Sequence, residues 1–192
     1  MRMILLRHGQ TDWNAWQKYQ GQTDIPLNDI GRKQAAEAAH YLKEYEEVQA
    51  IYCSDLIRAH ETAAIIGQKL GREIIPDRRL REVDFGRWEG MSYSEVYARY
   101  PQEFDAWFNN TRRFIIPGGE SFQQLQDRVL AAIEDIYQGP HETVLIVTHG
   151  GVIKAILDHI DEKTDLWDRA VDTAAMRVVE IDSEGEMKYL AP

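Results

Sequence analysis

Two short apolar runs in this chain each stop abruptly at a histidine that is followed by glycine. The first run covers residues 3–6 and leads into Arg7-His8-Gly9, and the second covers residues 143–148 and leads into His149 and Gly150. Short apolar runs bounded by glycine are typical of strands buried on both faces of a sheet. The carboxyl ends of parallel strands meet at the edge where α/β proteins bind ligands. This pattern predicts an α/β sheet that brings His8 and His149 to one crevice.

A third predicted strand, residues 48–53, is followed by a predicted helix over residues 56–70. Arg58 falls in the first turn of that helix. A cation there is unfavourable for the helix dipole, whereas an anion is favoured. The placement therefore indicates an anionic partner, with a solvated surface arginine as the alternative. Arg7 and Arg58 beside His8 point to phosphate chemistry.

The remaining pattern completes an α/β fold. Asn28 and Ser121 are predicted to cap long helices that run to about residues 45 and 137, the first with Ile30 facing inward. Residues 176–182 and 187–190 predict a closing β-hairpin. The expected architecture is one domain over residues 1–192, a three-layer sandwich with a mostly parallel central sheet, helices on both faces and an antiparallel C-terminal edge.

Composition restricts the partners. The formal net charge of −10 should repel nucleic acid and anionic membranes, so an anionic substrate needs a local cationic site. No apolar run approaches the ~18 residues of a membrane span. Cys53 is the only cysteine, which excludes an internal disulfide and suits a reducing cytoplasm. The oligomeric state is open between a monomer and a homodimer.

Other chemistries lack their residue patterns. No two histidines lie at the four-residue helical spacing of a zinc pair, and a lone cysteine offers no thiolate cluster. Cys53 also lacks the Cys-x5-Arg loop of a cysteine phosphatase. The glycines fit neither dinucleotide nor Walker spacing.

Five stretches, in order along nearly the whole chain, resemble the histidine phosphatase superfamily, the phosphoglycerate-mutase-like proteins. They are Arg7-His8-Gly9-Gln10-Thr11 with Trp13-Asn14, the run from Gln20-Gly21 to Leu27, Ser54 to Ala63, Leu80 to Gly90 with Pro117-Gly118-Gly119-Glu120-Ser121, and the segment around His149. The resemblance is closest to the family's small phosphatases, including α-ribazole phosphatase and broad-specificity enzymes. It implies a phosphoglycerate-mutase-like fold that needs no metal or other cofactor.

The resemblance also implies a role for each motif residue. His8 would attack phosphorus, Arg7 and Arg58 would hold the phosphoryl oxygens, and His149 would donate a further hydrogen bond. Spacing alone leaves Glu82, Asp84 and Glu89 open as the acid. The resemblance selects Glu82 and leaves the other two as turn or surface carboxylates. The other phosphate-binding positions would be Asn14, Gln20, Gly21 and Gly150.

The implied activity is hydrolysis of a small-molecule phosphomonoester, with α-ribazole 5′-phosphate or a sugar phosphate as candidate substrates. Two alternatives stay open: a phosphoglycerate mutase and a non-catalytic protein that binds a phosphorylated ligand. An aromatic-rich helical segment at residues 86–116 is expected to roof the site, either contacting substrate or filling a local core. Arg112 and Arg113 within it are interpreted as a solvated pair, with contact to a second anionic group as the alternative.

Overall fold

The computed structural model describes residues 1–161 and 170–190 and contains one six-stranded sheet in the order β3-β2-β4-β1-β5-β6. The strands are β1 Arg2–Arg7, β2 Ala50–Cys53, β3 Ile74–Pro76, β4 Thr143–Thr148, β5 Met176–Ile181 and β6 Met187–Leu190. The first four are parallel to one another, and β5 and β6 add antiparallel pairings at the C-terminal edge. The predicted fold class is confirmed.

Seven α-helices lie in the described ranges: α1 Asp12–Ala15, α2 Asp29–Tyr45, α3 Ile57–Leu70, α4 Tyr93–Arg99, α5 Pro101–Asn109, α6 Phe122–Tyr137 and α7 Gly150–Ile160. Side chains alternate across the sheet as strand geometry requires. Met3 and Leu5 of β1 join a core with α6 and α7, whereas Ile4 and Leu6 join a second core with α2 and α3. The sheet is therefore covered on both faces. None of the described helices has the length and apolar character needed to span a membrane.

The observed N-terminal ends of the helices agree only in part with those predicted from the sequence. Asn28 and Ser121 cap α2 and α6 as predicted. Ile30, expected to face inward, is 56% exposed, because it lies in the first turn of α2 ahead of the stripe that packs on the sheet. The N-cap residue of α3 is Leu56, which makes no side-chain cap hydrogen bond, although Ser54 and Asp55 precede it in the sequence. The Asp24 carboxylate accepts from the Ile57 N–H instead, at 2.7 Å.

The aromatic segment forms its own small core beside the sheet. Trp88, Phe104 and Trp107 are buried there, and the Trp88 and Trp107 rings meet edge to face at 5.5 Å. Edge-to-face contacts of this kind are a favoured aromatic geometry. For these three residues the structure confirms the core-filling interpretation.

Arg112 is not half of a solvated pair. Its guanidinium makes two hydrogen bonds, at 2.6 and 2.7 Å, to the carboxylate of Asp158, which is fully buried in α7. A buried carboxylate must be paired, and Arg112 supplies the pair. The prediction for this residue was wrong because its partner lies 46 residues away in sequence.

Candidate active site

The two histidines meet at the carboxyl edge of the sheet because β1 and β4 are neighbours in register. Arg7 pairs with Thr148, so His8 and His149 leave the two strands side by side. Their ring centroids are 5.1 Å apart, and their exposed fractions are 2% and 0%. The convergence predicted from the two apolar runs is thus observed.

Hydrogen bonding fixes the tautomer of His8. Nδ1 lies 2.7 Å from the Gly9 carbonyl oxygen, which can only accept, so Nδ1 carries the proton. Nε2 lies 3.3 Å from Nε of Arg58, which can only donate. The imidazole is therefore neutral, and its Nε2 lone pair is directed at the arginine. This is the form that a nucleophilic histidine requires.

Arg58 is fully buried at the start of α3, and its hydrogen bonds go to uncharged acceptors. Besides His8, it donates to the carbonyl oxygens of Thr23 at 3.0 Å and Gly21 at 2.6 Å. Burial lowers the pKa of this guanidinium to about 10. The interpretation as a solvated surface arginine is excluded. A buried cation without a carboxylate partner within the described residues strongly favours a bound anion.

Arg7 and His149 add further donors around His8. Arg7 donates to the Val171 carbonyl at 2.6 Å, while its buried Nε has no hydrogen-bond partner among the described residues. Neither ring nitrogen of His149 has one there. Buried polar atoms in native proteins are almost always paired, so we expect these nitrogens to pair with a group outside the described residues.

Burial also keeps the histidines uncharged. Desolvation lowers the pKa of His8 and of His149 well below the ordinary imidazole value, and the charges of Arg58 and Arg7 lower both further. The pKa of Arg7 is likewise lowered by burial, against the opposing pull of Glu82 and Asp172. The site therefore holds two cationic guanidinium groups and two neutral imidazoles, a set of groups that attracts an anion.

We expect the free energy of unfolding to fall as the pH drops from 7 to 5. The unfolded histidines titrate near 6.5 and the folded ones lower, so below that pH the unfolded chain binds two more protons. The contribution of each histidine to the free energy of unfolding is complete above pH 6.5. Below that pH it falls by up to about 1.4 kcal/mol per pH unit. Urea unfolding at pH 7, 6 and 5 measures it. His149→Gln should roughly halve the slope, and the exposed control His40→Gln should keep it. An unchanged slope in His149→Gln would contradict the assignment.

Glu82 lies across the crevice on the loop after a 3₁₀ turn at Arg78–Leu80. Its carboxylate accepts from the Val83 N–H at 2.9 Å and from the Gly151 N–H, at the start of α7, at 3.2 Å. A Cβ at Gly151 would lie 2.2 Å from Glu82 Oε1, so this close approach requires glycine. The contact brings the acid to the same helix start that follows His149.

Arg128 of α6 fixes the backbone that carries Glu82. Its guanidinium donates to the carbonyl oxygens of Arg79 and Arg81, both at 2.7 Å, and of Glu82 at 2.8 Å. It also makes a salt bridge of 2.5 Å with Glu120, which accepts from the Asp84 N–H. Arg128 was not predicted as a functional residue from the sequence. A charged side chain within the apolar stripe of α6 is the signal that marks it.

Glu89 is not a surface carboxylate. It accepts from the N–H groups of Gln22, Thr23 and Phe85, and also from the Thr23 hydroxyl. It thereby holds the loop whose carbonyl oxygens bind Arg58. Asp84 is a turn carboxylate, as expected, and accepts from the Gly86 N–H at 2.9 Å.

Of the remaining predicted phosphate ligands, Gly150 begins α7. Asn14, Gln20 and Gly21 lie on the stretch after β1, and their oxygen atoms already accept hydrogen bonds within the protein. The Asn14 side-chain oxygen accepts from Thr11 in a capping box, and Gln20 Oε1 accepts from the Thr11 hydroxyl at 2.9 Å. The Gly21 carbonyl binds Arg58. The side-chain amide nitrogens of Asn14 and Gln20 and the backbone N–H of Gly21 are therefore the groups of this stretch suited to an anion.

Close packing of α2 against the backbone of residue 9 requires a glycine there. A Cβ there would lie 2.4 Å from the Gly31 carbonyl oxygen, so the start of α2 rests directly on the loop after His8. The Thr62 hydroxyl accepts from the Gly9 N–H at 3.1 Å and donates to the Arg58 carbonyl. Thr62 ties the loop of His8 to the helix of Arg58, and the sequence did not identify it.

Metal donors do not cluster in the ranges 1–161 and 170–190. No group of three or more His, Cys, Asp or Glu side chains there is arranged to hold a metal ion. Cys53 is buried in β2, and burial raises the pKa of its thiol to about 12.

Comparison with known proteins identifies the family. The model of the histidine phosphatase superfamily (branch 1) matches residues 3–190. The chain is 41% identical to phosphoglycerate mutase-like protein 4 of Arabidopsis thaliana over 161 residues, covering 81% of the chain and 69% of that protein. It is 37% identical to a metal-independent phosphoserine phosphatase of the same plant, covering 98% of the chain and 83% of that protein.

Solved structures agree. The α-ribazole phosphatase of Shigella flexneri superposes with a TM-score of 0.86 at 27% identity, covering 99% of this chain and 96% of that one. The family match agrees with the observed sheet and with the paired histidines. This chain therefore belongs to the histidine phosphatase superfamily and is a phosphatase of small phosphorylated compounds.

Proposed function

We propose that this chain hydrolyses phosphomonoesters through a covalent phosphohistidine on His8. The observation that carries the proposal is a neutral imidazole whose Nε2 faces a buried arginine, with a second buried arginine and His149 alongside. Buried guanidinium groups bind phosphoryl oxygens in a planar fork, which places the phosphorus next to Nε2. The bound phosphate thus provides Arg7 and Arg58 with a negatively charged partner.

The reaction has two steps. In the first, His8 Nε2 attacks phosphorus in line, the bond to the ester oxygen breaks, and Glu82 delivers a proton to the departing alkoxide. In the second, Glu82 takes a proton from water, which attacks the phosphohistidine and releases inorganic phosphate. Arg7, Arg58 and His149 stabilise the charge on the phosphoryl oxygens in both steps. Asn14, Gln20, Gly21 and Gly150 complete the phosphate site.

Hydrolysis of p-nitrophenyl phosphate, with and without EDTA, tests the proposal. We expect turnover that EDTA leaves unchanged, because the cationic side chains supply the charge that a metal would otherwise supply. Absence of turnover by folded protein, or loss of turnover with EDTA, would overturn it. Phosphate or vanadate should also raise the melting temperature, since a ligand that binds only the native state stabilises it.

A phosphoglycerate mutase is the second candidate, favoured by the name of the 41%-identical plant relative. Such an enzyme must return its phosphoryl group to the product. It would interconvert 2- and 3-phosphoglycerate with stimulation by 2,3-bisphosphoglycerate, whereas the phosphatase releases inorganic phosphate. A phosphate-release assay run on 3-phosphoglycerate therefore separates the two. A non-catalytic protein would give neither product.

A further inference from the structure

We propose that Glu89 positions Arg58 through a single peptide group, and that this link sets how tightly the phosphoryl group is held. The inference rests on the proposed phosphatase function and adds a positioning residue to it. It is carried by hydrogen bonds at the two opposite ends of that peptide group.

The peptide group between Gly21 and Gln22 separates the two charged side chains. Its carbonyl oxygen accepts from Arg58 Nη2 at 2.6 Å, and its N–H donates to Glu89 Oε1 at 2.8 Å. A carboxylate at the N–H end polarises the peptide, so the carbonyl oxygen becomes a better acceptor for the guanidinium. The arrangement is an ion pair with one peptide group between the ions, and we call it the Arg58–Glu89 relay.

A second connection runs through Thr23. Its carbonyl oxygen accepts from Arg58 Nη1 at 3.0 Å, and its N–H donates to Glu89 Oε2 at 2.9 Å. Both oxygens of the carboxylate and both terminal nitrogens of the guanidinium therefore bind the same short loop. These bonds restrict rotation of the guanidinium, which pre-organises it for a bound group.

Gly21 permits the close approach of the carboxylate. Its φ is +52°, and a Cβ there would collide with the carboxylate of Glu89. Glycine meets both demands, because it adopts this left-handed backbone without strain and has no Cβ. Glu89 is therefore built into the loop that binds Arg58, although 67 residues separate it from Gln22.

The relay leaves donors of Arg58 available for phosphate. A guanidinium has five N–H groups, and three of them donate to His8, Gly21 and Thr23. Two N–H groups are thus left over from the contacts with the described residues. A carboxylate in direct contact would compete with phosphate for these two, whereas Glu89 acts across the peptide. Burial lowers the pKa of Arg58 to about 10, and Glu89 is among the carboxylates whose charge opposes that shift.

Glu89 has one further contact, which defines a competing explanation. It accepts from the Phe85 N–H at 3.2 Å, on the loop that follows Glu82. An effect through this bond would change proton delivery to the leaving group, so it would depend on the ester. An effect through Arg58 acts on the phosphoryl group, which every ester shares. The ratio of alkyl to aryl phosphate hydrolysis therefore separates the two routes.

A double-mutant cycle on kcat/KM for p-nitrophenyl phosphate tests the relay. We expect Glu89→Gln alone to lower kcat/KM by about tenfold to a hundredfold, as for a displaced positioning group. In the Arg58→Ala background the same change should alter kcat/KM by less than about threefold, because the side chain that Glu89 positions is gone. An equal factor in both backgrounds would show a purely structural role and overturn the inference.

The matched control is Glu46→Gln, which should leave kcat/KM unchanged. Glu46 pairs with Arg2 at the other end of β1, and its side chain is 14% exposed. With Glu89→Gln, kcat/KM for the alkyl ester phosphoethanolamine should fall by the same factor as that for the aryl ester. A selective loss of the alkyl ester would assign the effect to Glu82 and overturn the inference. If Glu89→Gln does not fold, Glu89→Asp carries the same cycle, because it keeps the charge but withdraws it by one methylene group.

Inorganic phosphate separates the two levels of the proposal. If the native protein cleaves p-nitrophenyl phosphate but the cycle shows no coupling, the phosphatase stands and the relay is wrong. If the folded native protein cleaves neither ester, the phosphatase proposal fails, and the relay is tested by the rise in melting temperature that phosphate produces. Glu89→Gln should reduce that rise, and an equal rise in both proteins would overturn the inference.

Discussion

His8→Ala should lower kcat for p-nitrophenyl phosphate by at least about ten-thousand-fold, as expected for loss of a catalytic nucleophile. The variant keeps Arg7, Arg58 and His149, so it retains a phosphate site but has no atom to accept the phosphoryl group. We expect it still to be stabilised by phosphate, which would show that binding and chemistry are separable. The matched control is His40→Ala, because His40 is exposed on α2.

Rapid quenching gives a direct readout of the same prediction. The native protein mixed with a ³²P-labelled substrate should carry an acid-labile label that resists alkali, as a phosphoramidate bond does. His8→Ala should carry none, whereas His40→Ala should match the native protein. A label that persists in His8→Ala would assign the intermediate to another residue and refute the proposed mechanism.

Gly151→Ala should selectively impair substrates with poor leaving groups. The added Cβ would lie 2.2 Å from Glu82 Oε1, the far end of a flexible side chain, so the carboxylate shifts while the fold persists. An alkoxide needs a proton to depart, whereas p-nitrophenolate leaves without one. Loss of general acid catalysis costs about 10² to 10⁴ in rate. We therefore expect kcat/KM for phosphoethanolamine to fall about a hundredfold and that for p-nitrophenyl phosphate to fall much less.

The neighbouring glycine provides a comparison. A Cβ at Gly150 would lie 3.6 Å from Arg7 Nε, an ordinary contact, and would not reach Glu82. Gly150→Ala should therefore leave the ratio of alkyl to aryl phosphate hydrolysis unchanged, whatever it does to phosphate binding. If Gly151→Ala lowers both substrates equally, Glu82 does not act on the leaving group.

Local patterns were sufficient to predict the ends of the strands. Apolar runs that stop at His8 and His149 mark parallel strands, and parallel strands share a carboxyl edge, so the meeting of the two histidines followed from the sequence. Arg58 followed from the cost of a cation in a first helical turn. Each of these inferences uses neighbours within a few residues.

Contacts between distant segments were not predictable in this way. The pairing of Arg112 with Asp158 spans 46 residues, and the bond from Gln22 to Glu89 spans 67. The local sequence around a charged residue next to a predicted loop does not distinguish a solvent-exposed residue from one that is paired with a buried carboxylate. Selection of Glu82 over Asp84 and Glu89 likewise needed the family resemblance.

The position of β1 between β4 and β5 has a consequence for synthesis of the protein on the ribosome. β1 is translated first, yet both of its neighbours in the sheet begin only at residue 143 or later. At roughly 5 to 20 residues per second, the backbone edges of β1 remain unpaired for on the order of ten seconds. A chaperone that covers residues 3–6 during that interval would protect the nascent chain, and the two histidines pair only after β4 has been translated.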